Sequence, residues 1–388
     1  MDASHIRIFR GSEPMATTFK NDDTAVERIC ERIRAAAADS QQLCIRGAGT
    51  KDFYGEPPQG EPLNTGELNG IVSYEPSELY ITAGAGTPLA ELEAALAEKG
   101  QALAFEPPRF GNAGTVGGMV AAGLSGPARA SAGSLRDHLL GAKLINGRGE
   151  LLTFGGQVIK NVAGYDVSRA LAGSMGVLGV ISEVSLKVLP VAPAEATLVF
   201  DCNQTVALRM LNEWGGQPLP LNASRWSDDT GAPRLWLRLR GAAAAVAAAC
   251  ARLGGERIEP AVAATGWQAT RDLALPGFAA CERRGQLDLW RASVPQAAAP
   301  LALGSSPLIE WHGGQRWYLA TIDEGPAIRD AAHVAGGHAT LFSAANPATA
   351  TPNRFDILSP PLARIHRALM NEFDPRAVFH RGRLYPAE

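Results

Sequence analysis

Between Gly155 and Pro190 the chain reads GGQVIKNVAGYDVSRALAGSMGVLGVISEVSLKVLP, an apolar stretch interrupted by six glycines. Glycine tolerates positive φ and, lacking a Cβ, lets main-chain amides come close to another group. Such a segment suits a fold in which backbone lies against a large planar ligand. Its last part, VLGVISEVSLKVLP, alternates and is rich in β-branched residues, which predicts a strand leaving that place. A second run makes a similar demand. Gly111, Gly114, Gly117, Gly118, Gly123 and Gly126 fall within GNAGTVGGMVAAGLSGP, with mostly small or β-branched side chains between them. Each would weaken a regular helix by about 0.5 to 1 kcal/mol relative to alanine. On composition alone, backbone against a ligand and a close helix packing contact both account for them.

A chain of 388 residues suggests two domains and a large core. A formal net charge of -3 gives no reason to expect a polyanionic partner, which disfavours nucleic-acid binding. No segment approaches the roughly 18 uninterrupted apolar residues of a membrane span, and MDASHIRIFRGSE has no apolar secretory region. The expected compartment is the cytoplasm. Cys30, Cys44, Cys202, Cys250 and Cys281 are scattered singly, so neither a zinc site nor an iron–sulfur cluster is expected in this chain.

Along the chain, Val26, Ile29, Ile33 and Ala37 recur at helical spacing and predict a helix over residues 23–38, with LCIRG following as a short buried strand. The strand opens into RGAGTK, Arg46 to Lys51, where glycines expose backbone N–H groups that could cradle a phosphate. An ordinary tight turn fits the same residues. Next, LYITAGAGTPLAELEAALAEKG superficially follows a dinucleotide-binding fingerprint, but Leu89 stands where its third glycine belongs. Thr87 is expected as the N-cap and Pro88 as the first helical residue, with Leu89, Leu92 and Leu96 buried and Gly100 ending the helix. Beyond Pro190 a Pro/Ala linker leads to strands at residues 236–241 and 316–321 and an alanine-rich helix between them. A final helix is expected from Phe355 to Phe373.

The order of these segments carries a resemblance. RGAGTK, GNAGTVGGMVAAGLSGP, SLRDHLLGAKLINGRGE (Ser134 to Glu150), KNVAGYD (Lys160 to Asp166) with GSMGVLGVISEVSLKVLP, and the closing FDPRAVFHRGRLY (Phe373 to Tyr385) are similar to the FAD-binding subunits of bacterial glycolate oxidases, within the vanillyl-alcohol-oxidase-type flavoproteins. The resemblance covers most of residues 40–190 and the C-terminal end, and is weaker over 195–350. It implies an α+β fold: a two-subdomain PCMH-type FAD-binding domain over residues 1–190, a smaller α+β cap over 195–350, and a segment over 351–388 returning to the first domain. It implies FAD as cofactor, with Arg46, Gly47, Ala48, Gly49, Thr50, Lys51, Gly114, Thr115, Val116, Gly117, Gly118, Gly123, Gly126, Tyr165, Gly176, Gly179, Val180 and Ile181 in its binding region.

In such flavoproteins the TVGG turn lies against the pyrophosphate and ribitol, and the position of Gly179 to Ile181 meets the adenine end. Relatives that attach flavin covalently place a histidine in or beside the first loop; RGAGTKDFYG has none, so noncovalent FAD is expected. Flavin-dependent 2-hydroxy-acid dehydrogenases carry a histidine-rich metal motif in the cap, whereas GGHATLF offers only His338. No metal is therefore expected, and His338 is a candidate general base or a structural histidine. Arg316 and Arg354 are candidate carboxylate clamps, with an exposed or paired arginine as the plainer alternative. FHRGR departs from the family's closing FNPGR at His380 and Arg381. The implied function is that of an FAD subunit taking part in oxidation of glycolate to glyoxylate, beside a second FAD-containing subunit and an iron–sulfur subunit. A location at the inner membrane would come through those partners. A self-contained dehydrogenase of a small 2-hydroxy acid, or a structural subunit without redox activity, remains open.

Overall fold

The computed structural model describes residues 23–111, 113–156, 166–228, 231–275, 287–346 and 353–385. Helix α1 (Asp23–Ala38) buries Ile29 and Ile33, as the spacing predicts, together with Ala25 and Ala36, while Val26 and Ala37 are only partly covered. It packs with β1 (Leu43–Arg46) and β2 (Glu61–Asn64), a parallel pair in which Leu43 lies opposite Glu61.

A five-stranded antiparallel sheet follows. It uses β3 (Ile71–Glu75), β4 (Tyr80–Gly84), β6 (Leu139–Ile145), β7 (Leu151–Gly155) and β8 (Val180–Lys187), in the order β3-β4-β8-β6-β7. The short β5 (Gln101–Ala102) and β9 (Leu189–Pro190) pair separately. The alternation in the sequence of β8 does not produce a solvated face. This strand is central and its first seven residues are all buried, because helices cover one side and the α1 unit the other.

Helix α2 (Leu89–Glu98) buries Leu89, Leu92 and Leu96, and Gly100 follows with φ 63°. Its N-cap is Pro88 rather than Thr87. The Thr87 hydroxyl instead exchanges hydrogen bonds with the backbone of Gly70, at 2.9 and 3.1 Å. Antiparallel pairing of β4 excludes the parallel βαβ unit that a dinucleotide fingerprint requires.

From Ala194 onward an eight-stranded antiparallel sheet forms. Its members are β10 (Ala194–Asp201), β11 (Leu221–Ser227), β12 (Arg234–Gly241), β13 (Glu256–Arg257), β14 (Asp288–Ser293), β15 (Leu308–Glu310), β16 (Gln315–Ala320) and β17 (His338–Ser343). The order is β13-β10-β12-β11-β15-β16-β14-β17. Helices Gln204–Gly215, Ala243–Leu253 and Gly325–Val334 bury their apolar stripes against it. A separate apolar cluster joins this sheet to the first unit: Leu289, Trp317 and Phe342 meet Tyr54, Ala122 and Leu124.

The last helix runs over Pro360–Phe373, five residues later than the pattern suggested, because Pro360 and Pro361 fit only the first turn. Beyond it the chain returns to β1. Leu43 N–H donates to Val378 O at 2.7 Å and His380 N–H to Leu43 O at 3.1 Å, so residues 378–380 extend the β1-β2 pair. The fully buried Asp374 carboxylate accepts from Val378 and Phe379 N–H at 3.0 and 2.9 Å and holds that turn.

Candidate functional site

The loop leaving β1 carries Arg46, Gly47, Ala48, Gly49, Thr50 and Lys51 along one wall of a cleft. The opposite wall is Thr115 and Gly118, Ala121 and Ala122 of α3 (Val116–Ala122), with Met175 and Arg383 completing the lining. Among the described residues, the backbone N–H groups of Gly47 through Lys51 donate to no protein acceptor. The turn closes only afterwards, through Asp52 N–H to Gly49 O at 3.1 Å and Tyr54 N–H to Lys51 O at 3.0 Å. Unpaired amides on the surface of a concave loop form an anion-binding nest.

Lys51 adds a charge to that nest. Desolvation pushes its pKa down to about 8, and no ion pair to it is found among the described residues. Its Nζ lies 3.4 Å from Thr50 Oγ1 and 5.9 Å from the centre of the Phe110 ring. Arg46 turns along the loop instead, with Nη2 at 2.6 Å from Asp52 Oδ2. That course passes over Gly49, whose φ is 74° and where a Cβ would lie 2.5 Å from Arg46 Nη2. The position demands glycine for both reasons.

The two walls meet closely. A Cβ on Gly47 would lie 2.6 Å from Thr115 Oγ1, and that hydroxyl caps α3 by accepting from Gly118 N–H at 3.2 Å. Val116 N–H donates to Thr87 O at 2.9 Å and Gly117 N–H to Ala85 O at 2.7 Å. The first-turn donors of α3 are thus spent within the protein, and α3 presents to the cleft the bare Cα of Gly118. A Cβ there would meet only Thr115 Oγ1, at 3.2 Å. Gly117 faces the other way: its Cβ would lie 2.6 Å from the Cβ of Ala85.

The sequence candidates therefore divide. Arg46 through Lys51, Thr115 and Gly118 line the cleft, and the position of a Gly114 Cβ is 3.8 Å from Lys51 Nζ. Val116, Val180 and Ile181 send their side chains into the cores, and Gly117 serves helix packing. Gly123 ends α3 at φ 64°, Gly126 passes against Glu106 O, and Gly179 crosses Ile145 O. Gly176, at φ 81°, backs onto Ile45, which lines the cleft from below β1. Lys160, Asn161 and Tyr165 lie outside the described residues, while Asp166 pairs with Arg169 at 2.7 Å.

Two contributors were not among the expected cofactor-binding residues, although both lie in segments that carry the resemblance. Met175 reaches the cleft with φ 52°, a conformation no pattern announces. Arg383, buried at 9% exposure, donates from Nη2 to Tyr54 O at 2.7 Å and from Nη1 to Glu56 O, and its own carbonyl accepts from Glu56 N–H at 3.0 Å. Arg354 joins it, with Nη1 donating to Phe53 O at 2.8 Å. The C-terminal return thereby fastens residues 53–56, directly after the loop.

The candidate carboxylate clamps are engaged elsewhere. Arg354 holds that backbone, and the fully buried Arg316 donates to the carbonyls of Gly313, Ala298 and Ala299, at 3.2, 2.5 and 2.6 Å. His338 does not line this cleft. It starts β17 beside Ser293, where desolvation, then the charge of Arg291, holds its imidazole pKa below the usual histidine value. In the closing FHRGR, His380 Nδ1 accepts from Gln59 N–H at 3.2 Å and Arg381 Nη1 donates to Asn371 at 2.7 Å, so both departures find local partners. Among the described residues no group of three or more His, Cys, Asp and Glu is placed to hold a metal ion.

A pyrophosphate fits the donor set of the first loop: free amides, a half-buried ammonium with no acid paired to it among the described residues, and glycine surface opposite. The comparisons with known proteins agree with that chemistry. A family model described as an FAD binding domain matches residues 24–155. The glycolate oxidase subunit GlcE of Escherichia coli (strain K12) is 43% identical over 92% of this chain and 97% of its own length. D-lactate dehydrogenase of Archaeoglobus fulgidus and glycolate oxidase subunit GlcD of Bacillus subtilis (strain 168) are each 30% identical, over 42% and 40% of this chain and 37% and 33% of their own. The solved structure of an alkyldihydroxyacetonephosphate synthase shares the fold, with a TM-score of 0.61 at 14% identity over 93% of this chain and 74% of that one. The cofactor of this chain is FAD.

Proposed function

This chain belongs to the family of the glycolate oxidase subunit GlcE, and we propose that it is the subunit holding noncovalent FAD in a multi-subunit oxidase that converts glycolate to glyoxylate. It is an FAD-dependent oxidoreductase. When bound, FAD supplies the acceptor for the two electrons leaving the hydroxy acid. The residues of this chain supply position and charge. The amides of Gly47 through Lys51 and the Lys51 ammonium hold the pyrophosphate, and Gly118 lets backbone lie flat against the cofactor. The absence of histidine around the first loop supports noncovalent attachment. The partners are a second flavin subunit of the GlcD kind, and an iron–sulfur subunit takes the electrons onward. Among the described residues no helix is long and apolar enough to cross a membrane, which agrees with any membrane association coming through those partners.

The observation that carries this reading is the row of free amides beside Lys51. The test is anaerobic glycolate addition to the assembled complex and to the isolated chain, following flavin absorbance near roughly 450 nm. Bleaching in the complex with loss of activity on removing this chain is the expected result. A complex that oxidises glycolate equally well without this chain contradicts it.

A further inference from the structure

A second cleft lies between the two units, lined by Arg129 and Gly123 from the first and by Arg291, Ser293, Trp311 and His338 from the second. Among the described residues its lining contains no acid. Arg291 and Ser293 alternate with the core residues Trp290 and Ala292 on β14, which sends both toward the first unit, and Ser293 is the register partner of His338 on β17. The Arg291 guanidinium is oriented rather than paired. Its Nη2 donates to Tyr54 Oη at 3.0 Å, and its Nε is buried with no hydrogen-bond partner among the described residues.

Arg129, an exposed side chain, lines the cleft from the other unit and lies 4.4 Å from the centre of the Trp311 ring. The two guanidinium groups feel each other: burial, then the charge of Arg291, lowers the Arg129 pKa. Asp137, the acid that partly offsets this, is engaged by Ser134 N–H and Oγ, both at 2.8 Å. Asp356, the acid nearest in effect to His338, is bound to His333 at 2.6 Å. Two like charges held in one cleft favour an anion that joins them.

The segment that positions Arg129 is strained. Trp311 and His312 have φ of 53° and 57°, followed by Gly313 at 102°. Consecutive bulky residues in the left-handed region persist only where surroundings over-determine them. Here Trp311 Nε1 donates to Gly126 O at 2.9 Å, and the His312 ring bridges Ser131 and Ser224 at 3.0 Å each. The strained turn thus locks the second unit onto Gly126 and onto Ser131 of the short helix Arg129–Ala132. The cleft also touches Gly123, the C-cap of α3, whose neighbouring residues Ala121 and Ala122 line the cofactor cleft.

We infer that this cleft binds the carboxylate of a small 2-hydroxy acid or of its 2-oxo product, with Arg129 and Arg291 as the anion clamp and His338 at its edge. The inference rests on the proposed glycolate oxidation, and it places substrate contact in this chain rather than only in a partner. The test is calorimetric titration of the FAD-loaded full chain with oxalate in phosphate-free buffer, with the flavin-to-protein ratio measured for each variant. Saturable binding is expected, weakened at least about tenfold by Arg129→Gln and by Arg291→Gln. Arg209→Gln, an exposed helix residue 3.8 Å from Glu213, serves as a control with unchanged binding. The inference is overturned by absent binding, by equal binding in the arginine variants, or by inorganic phosphate binding as tightly with the same residue dependence. Loss of FAD from either variant overturns it too, by assigning that arginine to the cofactor. Glycolate turnover by the assembled complex reports separately on the parent reading.

Discussion

Arg383 reaches from the C-terminal return to the backbone of Tyr54, donating from Nη2 to its carbonyl at 2.7 Å. Tyr54 in turn accepts at its hydroxyl from Arg291 of the second sheet. One short segment after the cofactor loop therefore ties the last residues of the chain to the interface between units. Arg383→Gln leaves buried carbonyls of residues 54 and 56 without donors, at a cost on the order of 1 to 3 kcal/mol. FAD affinity of the variant is expected to fall about tenfold or more, with Arg383→Lys recovering part of it. Equilibrium FAD titration of refolded apoprotein checks this; a variant that loses thermal stability but keeps full FAD affinity would limit Arg383 to a structural role.

Gly117 and Gly118 are adjacent, yet their substitutions should fail differently. Gly118→Val points into the cleft and is expected to lower the flavin content while apoprotein melting changes little. Gly117→Ala pushes against Ala85 and should cost roughly 1 to 3 kcal/mol of stability through overpacking. Thermal melting beside flavin stoichiometry separates the two. Normal flavin content in Gly118→Val would remove the cofactor from this wall.

Glu310 lies at 2% exposure, accepting from Trp317 Nε1 at 2.7 Å and Gln315 Nε2 at 3.1 Å. Desolvation raises its pKa to about 7. The folded state therefore holds a proton that the unfolded state has released above about pH 4.3, so stability declines as pH rises from there to about 7. Glu310→Gln keeps an acceptor for both donors and removes the titration. It should raise stability at pH 8 by an amount on the order of 1 to 3 kcal/mol and leave pH 4 nearly unchanged. Denaturant unfolding at the two pH values decides the matter; an equal change at both would mean that Glu310 does not titrate in this window.

Much of the fold was legible because its elements are amphipathic. Ile29 and Ile33 of α1 and Leu89, Leu92 and Leu96 of α2 announced their buried faces by spacing alone. The full burial of β8 was not legible, since a central antiparallel strand covered on both sides depends on what packs over it. The first loop was readable as a phosphate cradle from its glycines and Lys51, with a tight turn as the alternative. The glycine run was only partly readable. Sequence could not separate Gly118 at the cleft from Gly117 against Ala85, because one residue along a helix reverses the facing direction by about 100°. Arg129 and Arg291 lie more than 150 positions apart and meet only through the docking of the two units, whereas Arg316 and Arg354, the candidates the sequence offered, donate to carbonyls.

Lys51 offers the most direct measurement: FAD titration of the apoprotein as a function of pH, for the native chain and Lys51→Met. The folded apoprotein holds this ammonium pKa at about 8, and an adjacent pyrophosphate would raise it, so FAD binding takes up a proton above that value and affinity must fall as pH rises past 8. The account predicts tight binding of FAD at pH 7 that weakens toward pH 10, and a Lys51→Met chain that binds about tenfold or more weakly at pH 7 with little pH dependence. Equal affinity and an equal pH profile in the two chains would contradict the assignment of the pyrophosphate to the first loop.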